Sequence, residues 1–499
     1  MQRLLLFFVA FLLTSGLPAQ SVYTEFGKNR IQYHDDFRNW WMYETENFIT
    51  YWYGKGQNVA HTVIQMAELD NDEIQNILEH RFNDKIEIIV YLDVSDLKQS
   101  NLGSEELFAS ASGQTKILGN KMFVYFDGNH RNLRDRIRQG IAGVYLESML
   151  YGSNLQEIVQ NAVLLNLPDW YRLGLISYLG NEWNPVVEDE LRDLYLHPKG
   201  KYRDFERLAR DYPRIAGHAM WYYIGRSFGK SSISNLLYLT RINRNLENAF
   251  LYVLGVEFDQ VIRDWELFFN DLFEREQVRY EDVDPTTALR IHNKRNIPIT
   301  RISLSPDGRY LAYALNDLGK IKLHLLDVAT GKSTLLMKTG VRNNVQETDY
   351  NYPVLAWHPS GEALSVVYEE RDVLYLTQMD LASDRQLTEL LGPDFQRVYS
   401  MDYWHPDTLV FSASTDGLSD LYKYMPNTRQ SERITDDFYD DLDLSVVRLQ
   451  GKRGLLFRSN RTDLAMTERS LDTILPVDYF DIYFMEKTST GWQLHNLTR

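Results

Sequence analysis

The sequence predicts a multidomain protein, an α-rich α+β domain followed by a β-propeller, and three observations carry that prediction. As far as about Phe273, apolar residues recur mainly at the three- and four-residue spacing of helices. After the polar run Glu274-Arg275-Glu276-Gln277, short strands separated by turn residues take over. Those strands repeat with starts near residues 302, 354, 401 and 444. A period of about 40 to 50 residues is that of a four-stranded propeller blade. At 499 residues the chain also exceeds the size at which a single core stops growing.

Residues 1–20 join a basic Arg3, the apolar run Leu4–Leu13 and the small-residue stretch Ser15-Gly16-Leu17-Pro18-Ala19-Gln20, the three-part pattern of a secretory signal peptide. The apolar run is too short for a membrane-spanning helix. Residues 21–283 form the predicted first domain. It begins with a helix over 58–80 and two apolar strands, 86–92 and 121–126, separated by the polar loop Ser100–Gly119. In the next helix, 133–150, Leu133, Ile137, Ile141, Val144, Tyr145 and Met149 share one face. Gly140 and Gly143 lie inside this helix, where each costs about 1 kcal/mol relative to alanine, so close packing or a replaced site is expected there. Further helices are expected at 155–165, at 170–179 after Pro168, and at 215–228, 232–241 and 258–273.

A polar linker, 284–298, includes Asp284–Thr287 and Asn293–Asn296 and permits movement between the domains. The propeller is expected over 299–499. Its first repeat is a strand, the turn Ser305-Pro306-Asp307-Gly308 and a second strand, followed by a hairpin over 321–336. The plan returns at Val354–Gly361 with Leu364–Val367, at Met401–Tyr403 with Leu409–Ser412, and at Leu444–Leu449 with Gly454–Ser459. Gly491–Arg499 reads as a strand that closes a blade. Four blades are the lower limit for a closed ring. The expectation is therefore an incomplete propeller at the front of a longer polypeptide, with a small closed ring as the alternative.

Composition narrows the function. A net charge of −16, from 69 acidic and 53 basic residues, argues against binding to a nucleic-acid backbone. The absence of cysteine from all 499 residues excludes disulfides, thiol chemistry and cysteine metal sites. It also removes the attachment point for a lipid anchor, so any association with a membrane is expected through partners. The 32 Tyr and 10 Trp supply cores and surfaces alike. Trp40, Trp41, Tyr51, Trp52, Tyr53 and Trp221 are candidate interaction anchors, with at least half of such rings expected to serve the core.

The segments Leu304–Tyr313, Ser414–Tyr422 and Arg458–Asp463 resemble the repeats of the TolB-like propeller family. The front region resembles the peptidase MA-like, gluzincin-type domains found ahead of such propellers in exported proteins of Bacteroidota. Active members of that group carry His-Glu-x-x-His on a helix and a later glutamate in Trp-Phe-x-Glu-Gly, which together hold and use a zinc ion. The resemblance places those positions on Gln139, Gly140 and Gly143 in Arg138–Val144, and on Leu173 in Trp170-Tyr171-Arg172-Leu173-Gly174. None of the four is a zinc ligand or a base, so the resemblance implies a pseudopeptidase without catalytic residues, metal or cofactor.

Other candidate chemistry is thinner. His130 and His218 are the histidines nearest the degenerate positions, and a displaced metal site would have to use them. Phe126-Asp127-Gly128-Asn129-His130 mixes carboxylate, amide and imidazole, but helix capping at a strand-to-helix turn explains the same residues. The acidic run Asp436–Asp441 lacks the spacing of a calcium loop and is expected to be a solvated connection between blades. The resulting expectation is a non-catalytic periplasmic scaffold or accessory subunit, peripheral to the outer membrane, with an outer-membrane channel or secretion or transport assembly as partner. A glycan- or peptide-binding module and a divergent metallohydrolase are the alternatives.

Overall fold

The computed structural model describes residues 39–99, 115–152, 165–197, 200–277, 288–289, 291–293, 295–343, 347–392, 395–462, 464 and 475–498. The signal-peptide segment 1–20, nearly all of the helix expected at 155–165 and the linker residues Asp284–Thr287 lie outside them.

The front domain is built on a five-stranded mixed sheet of β1 (Trp40–Glu44), β2 (Phe48–Tyr53), β3 (Ile86–Tyr91), β4 (Lys116–Leu118) and β5 (Lys121–Tyr125), in the order β1-β2-β3-β5-β4. The pairs β2–β3 and β3–β5 are parallel, and β1 and β4 add antiparallel edges. Alternation sets the inner face, since Phe48, Ile86, Ile88, Val90, Met122 and Val124 are buried in one continuous core. The sequence pattern passed over β1 and β2 as strands and treated β4 as part of a polar loop.

Helices cover that core: α1 (Gln57–Leu78), the short α2 (Val94–Gln99), α3 (His130–Tyr151), α4 (Asp169–Gly180), α5 (Pro185–Tyr195), α6 (Phe205–Asp211), α7 (Pro213–Phe228), α8 (Ser231–Asn243), α9 (Leu246–Leu254) and α10 (Phe258–Gln277). Local chemistry starts them. The Asn129 side chain caps α3 by accepting from Arg131 N, and Asn184 caps α5 by accepting from Val186 N and Val187 N. Gly152, at φ +91°, follows the end of α3.

Two glycine contacts set how closely the helices approach. A Cβ on Gly217 of α7 would lie 1.8 Å from Trp170 O, and one on Gly174 of α4 would lie 2.2 Å from the Gly217 Cα. Only glycine at both positions lets α4 and α7 cross there.

Among the described residues the second domain shows four four-stranded antiparallel blades of a β-propeller. Blade 1 comprises β6 (Ile299–Leu304), β7 (Tyr310–Asp317), β8 (Lys320–Asp327) and β9 (Ser333–Thr339). Blade 2 comprises β10 (Val354–Trp357), β11 (Ala363–Glu370), β12 (Val373–Asp380) and β13 (Arg385–Leu390). Blade 3 comprises β14 (Arg397–His405), β15 (Thr408–Thr415), β16 (Leu418–Met425) and β17 (Gln430–Arg433). Blade 4 comprises β18 (Asp441–Leu449), β19 (Lys452–Ser459), β20 (Asp481–Thr488) and β21 (Gly491–Asn496).

The Ser-Pro-Asp-Gly turn explains the repeat. Ser305 Oγ donates to Asp307 Oδ1 at 2.5 Å and accepts from Tyr310 N at 2.9 Å, while Gly308, at φ +72°, closes the turn with its N–H on Ser305 O. In blade 2, Gly361 N donates to His358 O in the same way.

First strands of successive blades adjoin. Asn351 Nδ2 donates to Val398 O at 2.8 Å and Val446 N donates to Asp402 Oδ2 at 2.7 Å, while Ala312 and Ala314 of blade 1 leave room for Trp357 and Val366 of blade 2. On the opposite face of blade 1, Ile291 and Ile297 of the linker pack against Leu311, Tyr313, Leu315 and Leu326. These residues expected in a loose linker are thus anchored on the propeller.

Candidate functional site

The degenerate peptidase positions fall on α3 and α4. Gln139 Oε1 accepts from Thr115 N at 3.2 Å. A Cβ on Gly140 would meet Met122 at 2.8 Å, and one on Gly143 would meet Ile117 at 2.9 Å. Both glycines therefore let α3 lie against the β4–β5 hairpin, which is a packing reason for their place in a helix. Leu173 is half-buried on α4. His218 is buried with Nδ1 2.9 Å from Ser177 Oγ, and burial, with Arg214 adding to it, pushes its pKa down to about 3.

Among the described residues, two clusters of three metal-ligating side chains occur, Asp93/Asp96/Asp372 and Asp420/Asp437/Asp441, and neither contains a histidine. The second is an ion-pair network, because Arg461 reaches Asp441 at 2.7 Å and Asp437 at 3.2 Å, and Arg433 pairs with Asp420. The acidic run 436–441 is accordingly not the solvated loop that its composition predicted. Asp437, Asp440 and Asp441 are buried, and bringing basic partners from elsewhere in the fold is what permits this.

Of the aromatic candidates, Trp40 and Trp41 are exposed on the edge strand β1, and Tyr51 and Trp52 are half-buried on β2. Tyr53 and Trp221 are not surface anchors. The Tyr53 hydroxyl donates to Asp96 and accepts from Leu92 N, and Trp221 Nε1 donates to Tyr171 O at 2.8 Å deep in the helical core. Burial of the ring and satisfaction of its one polar atom commit each to the core.

The richest chemistry lies where the two domains meet. The turn Asp127-Gly128-Asn129-His130, which leads from β5 into α3, is inserted against blades 3 and 4. His130 N donates to Asp440 Oδ2 at 2.8 Å and His130 Nδ1 lies 2.6 Å from Asp440 Oδ1, with both side chains buried. Ser419 Oγ donates to Gly128 O at 2.7 Å. A Cβ on Gly128, whose φ is +88°, would lie 1.9 Å from Tyr399 Cζ, so the turn touches the propeller without room for a side chain. Around it, Leu475 and Val477 of blade 4 join the front-domain core, and Arg131 and Arg134 donate to Asp478. Asn58 Nδ2 donates to Asp416 O at 3.1 Å, and Gln99 Nε2 donates to Asp372 Oδ2 at 3.0 Å.

Beside this turn is a cavity of about 340 Å³, lined by Asp127 and Tyr125 of the front domain and by Arg301, Asp349, Arg397 and Asp443 among the propeller residues. Arg397 is 3 % exposed. Its Nη2 donates to both Asp349 oxygens at 2.7 and 2.8 Å, and the guanidinium lies 5.3 Å from the Tyr352 ring centre. Burial works against the Arg397 charge, but Asp349 and Tyr352 outweigh it and keep the group protonated. Burial lowers the pKa of Arg301, whose Nη2 donates to Asn351 O at 2.7 Å.

The cavity's carboxylates are engaged: Asp127 with Arg136 at 2.8 Å, Glu347 with the Tyr125 hydroxyl at 2.5 Å, Asp349 with Arg397, and Asp443 with Arg458. Nearby, Ser95 donates to Glu369. Burial, with Asp93 adding to it, pushes the Glu369 carboxyl up to about 8, and burial, with Asp372 adding to it, pushes Asp93 up to about 6. Sequence reasoning noticed the Asp127–His130 turn but missed Arg301, Asp349 and Arg397. Their sole local signal is the break in strand pattern at Asp349-Tyr350-Asn351 and the single arginine that begins β14.

Fold and junction together define a class: a two-domain chain bearing a β-propeller, with a polar cavity where the domains meet. Comparison with known proteins finds similarity to TolB homologs over part of the chain. The chain is 34% identical over 122 residues to a Protein TolB homolog of Chlorobium chlorochromatii, a match covering 24% of this chain and 25% of that protein. It is 31% identical over 110 residues to a Protein TolB homolog of Chlorobaculum tepidum, covering 22% of this chain and 23% of that one. The matches thus span about a quarter of the length of these relatives. Among solved structures, TolB from Acinetobacter baumannii aligns with a TM-score of 0.30 at 16% identity, over 40% of this chain and 44% of that one. No protein-family model matches the chain.

Proposed function

We propose that this protein is a non-catalytic interaction module, exported to the periplasm and held peripherally at the outer membrane by protein partners, with a channel or a secretion or transport assembly as the partner. The observation that carries the reading is TolB-like homology beside a front domain whose peptidase-like positions are Gln139, Gly140, Gly143 and Leu173. In this reading the front domain is a pseudopeptidase, retained as a structural wedge for the propeller. The buried turn at His130 supports it, because a domain fastened this way presents one composite surface rather than two jointed ones. Among the described residues no helix is long and apolar enough to cross a membrane.

The test is purification of the native protein from envelope membranes in mild detergent, with quantitative mass spectrometry of what accompanies it. Stoichiometric recovery of an outer-membrane channel is the expected result. A chain recovered alone, or one carrying stoichiometric zinc and cleaving peptides, overturns the reading. A second reading, a peptide-binding module, is favoured by the arginine-bearing cavity at the junction.

A further inference from the structure

We infer that the cavity between the front domain and the propeller is a binding site for a carboxylate, carried by a small molecule or by the C-terminus of a polypeptide. This goes beyond the scaffold reading and does not depend on which assembly holds the chain. The inference begins with Arg397. It is buried and lines the cavity, yet two of its three nitrogens, Nε and Nη1, have no hydrogen-bond acceptor among the described residues. A buried donor without an acceptor costs free energy comparable to a lost hydrogen bond, so natural structures leave few of them unless a ligand or water completes the set.

The rest of the lining says what kind of ligand completes it. Each of the four carboxylates, Asp127, Glu347, Asp349 and Asp443, already has a donor or cation. Arg301, also in the lining, makes no ion pair among the described residues; its Nη2 donates to Asn351 O and Oδ1 and its Nη1 to Thr300 O. The spare capacity is thus on the donor side, and a ligand that accepts hydrogen bonds is the complement. Arg301 carries a positive charge without a direct ion pair and Glu347 a negative one held only by the neutral Tyr125 hydroxyl, so these two offset, and the preference for an acceptor ligand rests on the open donors of Arg397. A phosphate dianion would bring a second negative charge among four acidic side chains. Guanidinium and carboxylate are planar partners whose hydrogen bonds are strengthened by charge. A volume of about 340 Å³ falls in the range of small-ligand pockets and admits a short chain end.

The experiment is calorimetric titration of the full chain with acetyl-trialanine bearing a free C-terminal carboxylate, with the same peptide as its C-terminal amide, and with propionate. The expected result is binding of the free acid about 10-fold or more tighter than the amide, the effect of losing a hydrogen bond to a charged group. If propionate competes as well as the peptide, the source is a small carboxylate; if the peptide is clearly tighter, it is a chain end. Arg397→Gln is expected to abolish binding. Because that variant removes a buried ion pair, Arg301→Gln, at a partly exposed position, serves as the second, and about 10-fold weaker binding with unchanged circular dichroism is expected. Equal binding of acid and amide overturns the inference. So does wild-type affinity in Arg301→Gln, or no binding of either carboxylate up to about 10 mM, weaker than any useful site.

Discussion

Replacing His130 with alanine should loosen the two domains from one another, and the size of the effect follows from the geometry. The imidazole is 1 % exposed, Asp440 is fully buried, and Nδ1 lies 2.6 Å from the Asp440 carboxylate. Truncation leaves Asp440 with the His130 N–H but without its side-chain partner, and removes a ring packed 4.5 Å from Phe126. Leaving a buried carboxylate without one of its hydrogen-bond donors costs about 1.5–3 kcal/mol. With the backbone bond to Asp440 surviving and the buried ring lost as well, the expected loss is about 3 kcal/mol.

Urea unfolding followed separately by probes in each domain is the assay. The wild-type domains should unfold together, whereas His130→Ala should lower the midpoint and separate the transitions. His130→Asn, which keeps a donor near the Nδ1 position, should recover about half of the loss. A loss under about 0.5 kcal/mol in the alanine variant, the scale of an ordinary surface change, would refute the reasoning, as would an asparagine variant no better than alanine.

Other perturbations test neighbouring parts of the fold. Gly128→Ala forces a Cβ to within 1.9 Å of Tyr399 at a φ of +88°, and should cost about 3 kcal/mol in the same unfolding assay. Gly217→Ala places a Cβ 1.8 Å from the backbone oxygen of Trp170 and should cost at least about 3 kcal/mol by pushing two helices apart, read as a lowered thermal midpoint. Arg461→Met leaves Asp437 and Asp441 buried without their shared cation, so a loss of about 3–5 kcal/mol is expected from denaturant titration.

The junction also carries a pH dependence. Glu369 and Asp93 titrate in the fold at about 8 and about 6, above their ordinary values, so their neutral forms are favoured. Their contribution is complete below about pH 4 and is lost as pH rises through 6 to 8. The chain should therefore be less stable at pH 8 than at pH 5, read as a lower urea midpoint at pH 8, and Glu369→Gln should flatten that slope.

What the sequence reveals depends on how local the cause is. The blade repeat is legible because Ser305, Asp307 and Gly308 build their own turn within a few residues. The helices are legible because one face of each supplies the core, as Leu133, Ile137 and Ile141 do in α3. By contrast, β1 and β2, Trp40–Glu44 and Phe48–Tyr53, are aromatic at neighbouring positions and show no clean alternation of apolar and polar residues. Gly140 and Gly143 were expected as either packing or remnant, and the β4–β5 hairpin supplies the packing.

The junction was the least legible part. Asp440 belongs to a run whose composition signals solvent, and its partner His130 is 310 residues away. The cavity draws Tyr125, Arg301, Asp349, Arg397 and Asp443 from separate strands and loops, so no window of sequence contains the pattern.

The central claim is that the two domains form one body around the Asp127–His130 turn, and hydrogen exchange on the intact chain tests it most directly. The amides of His130 and Asp440, which donate to Asp440 Oδ2 and Asn460 Oδ1, should exchange only with global unfolding, as slowly as the cores on either side. Rapid exchange of both while the flanking α3 and β18 stay protected would contradict the account, because it would mean that the domains separate readily in solution.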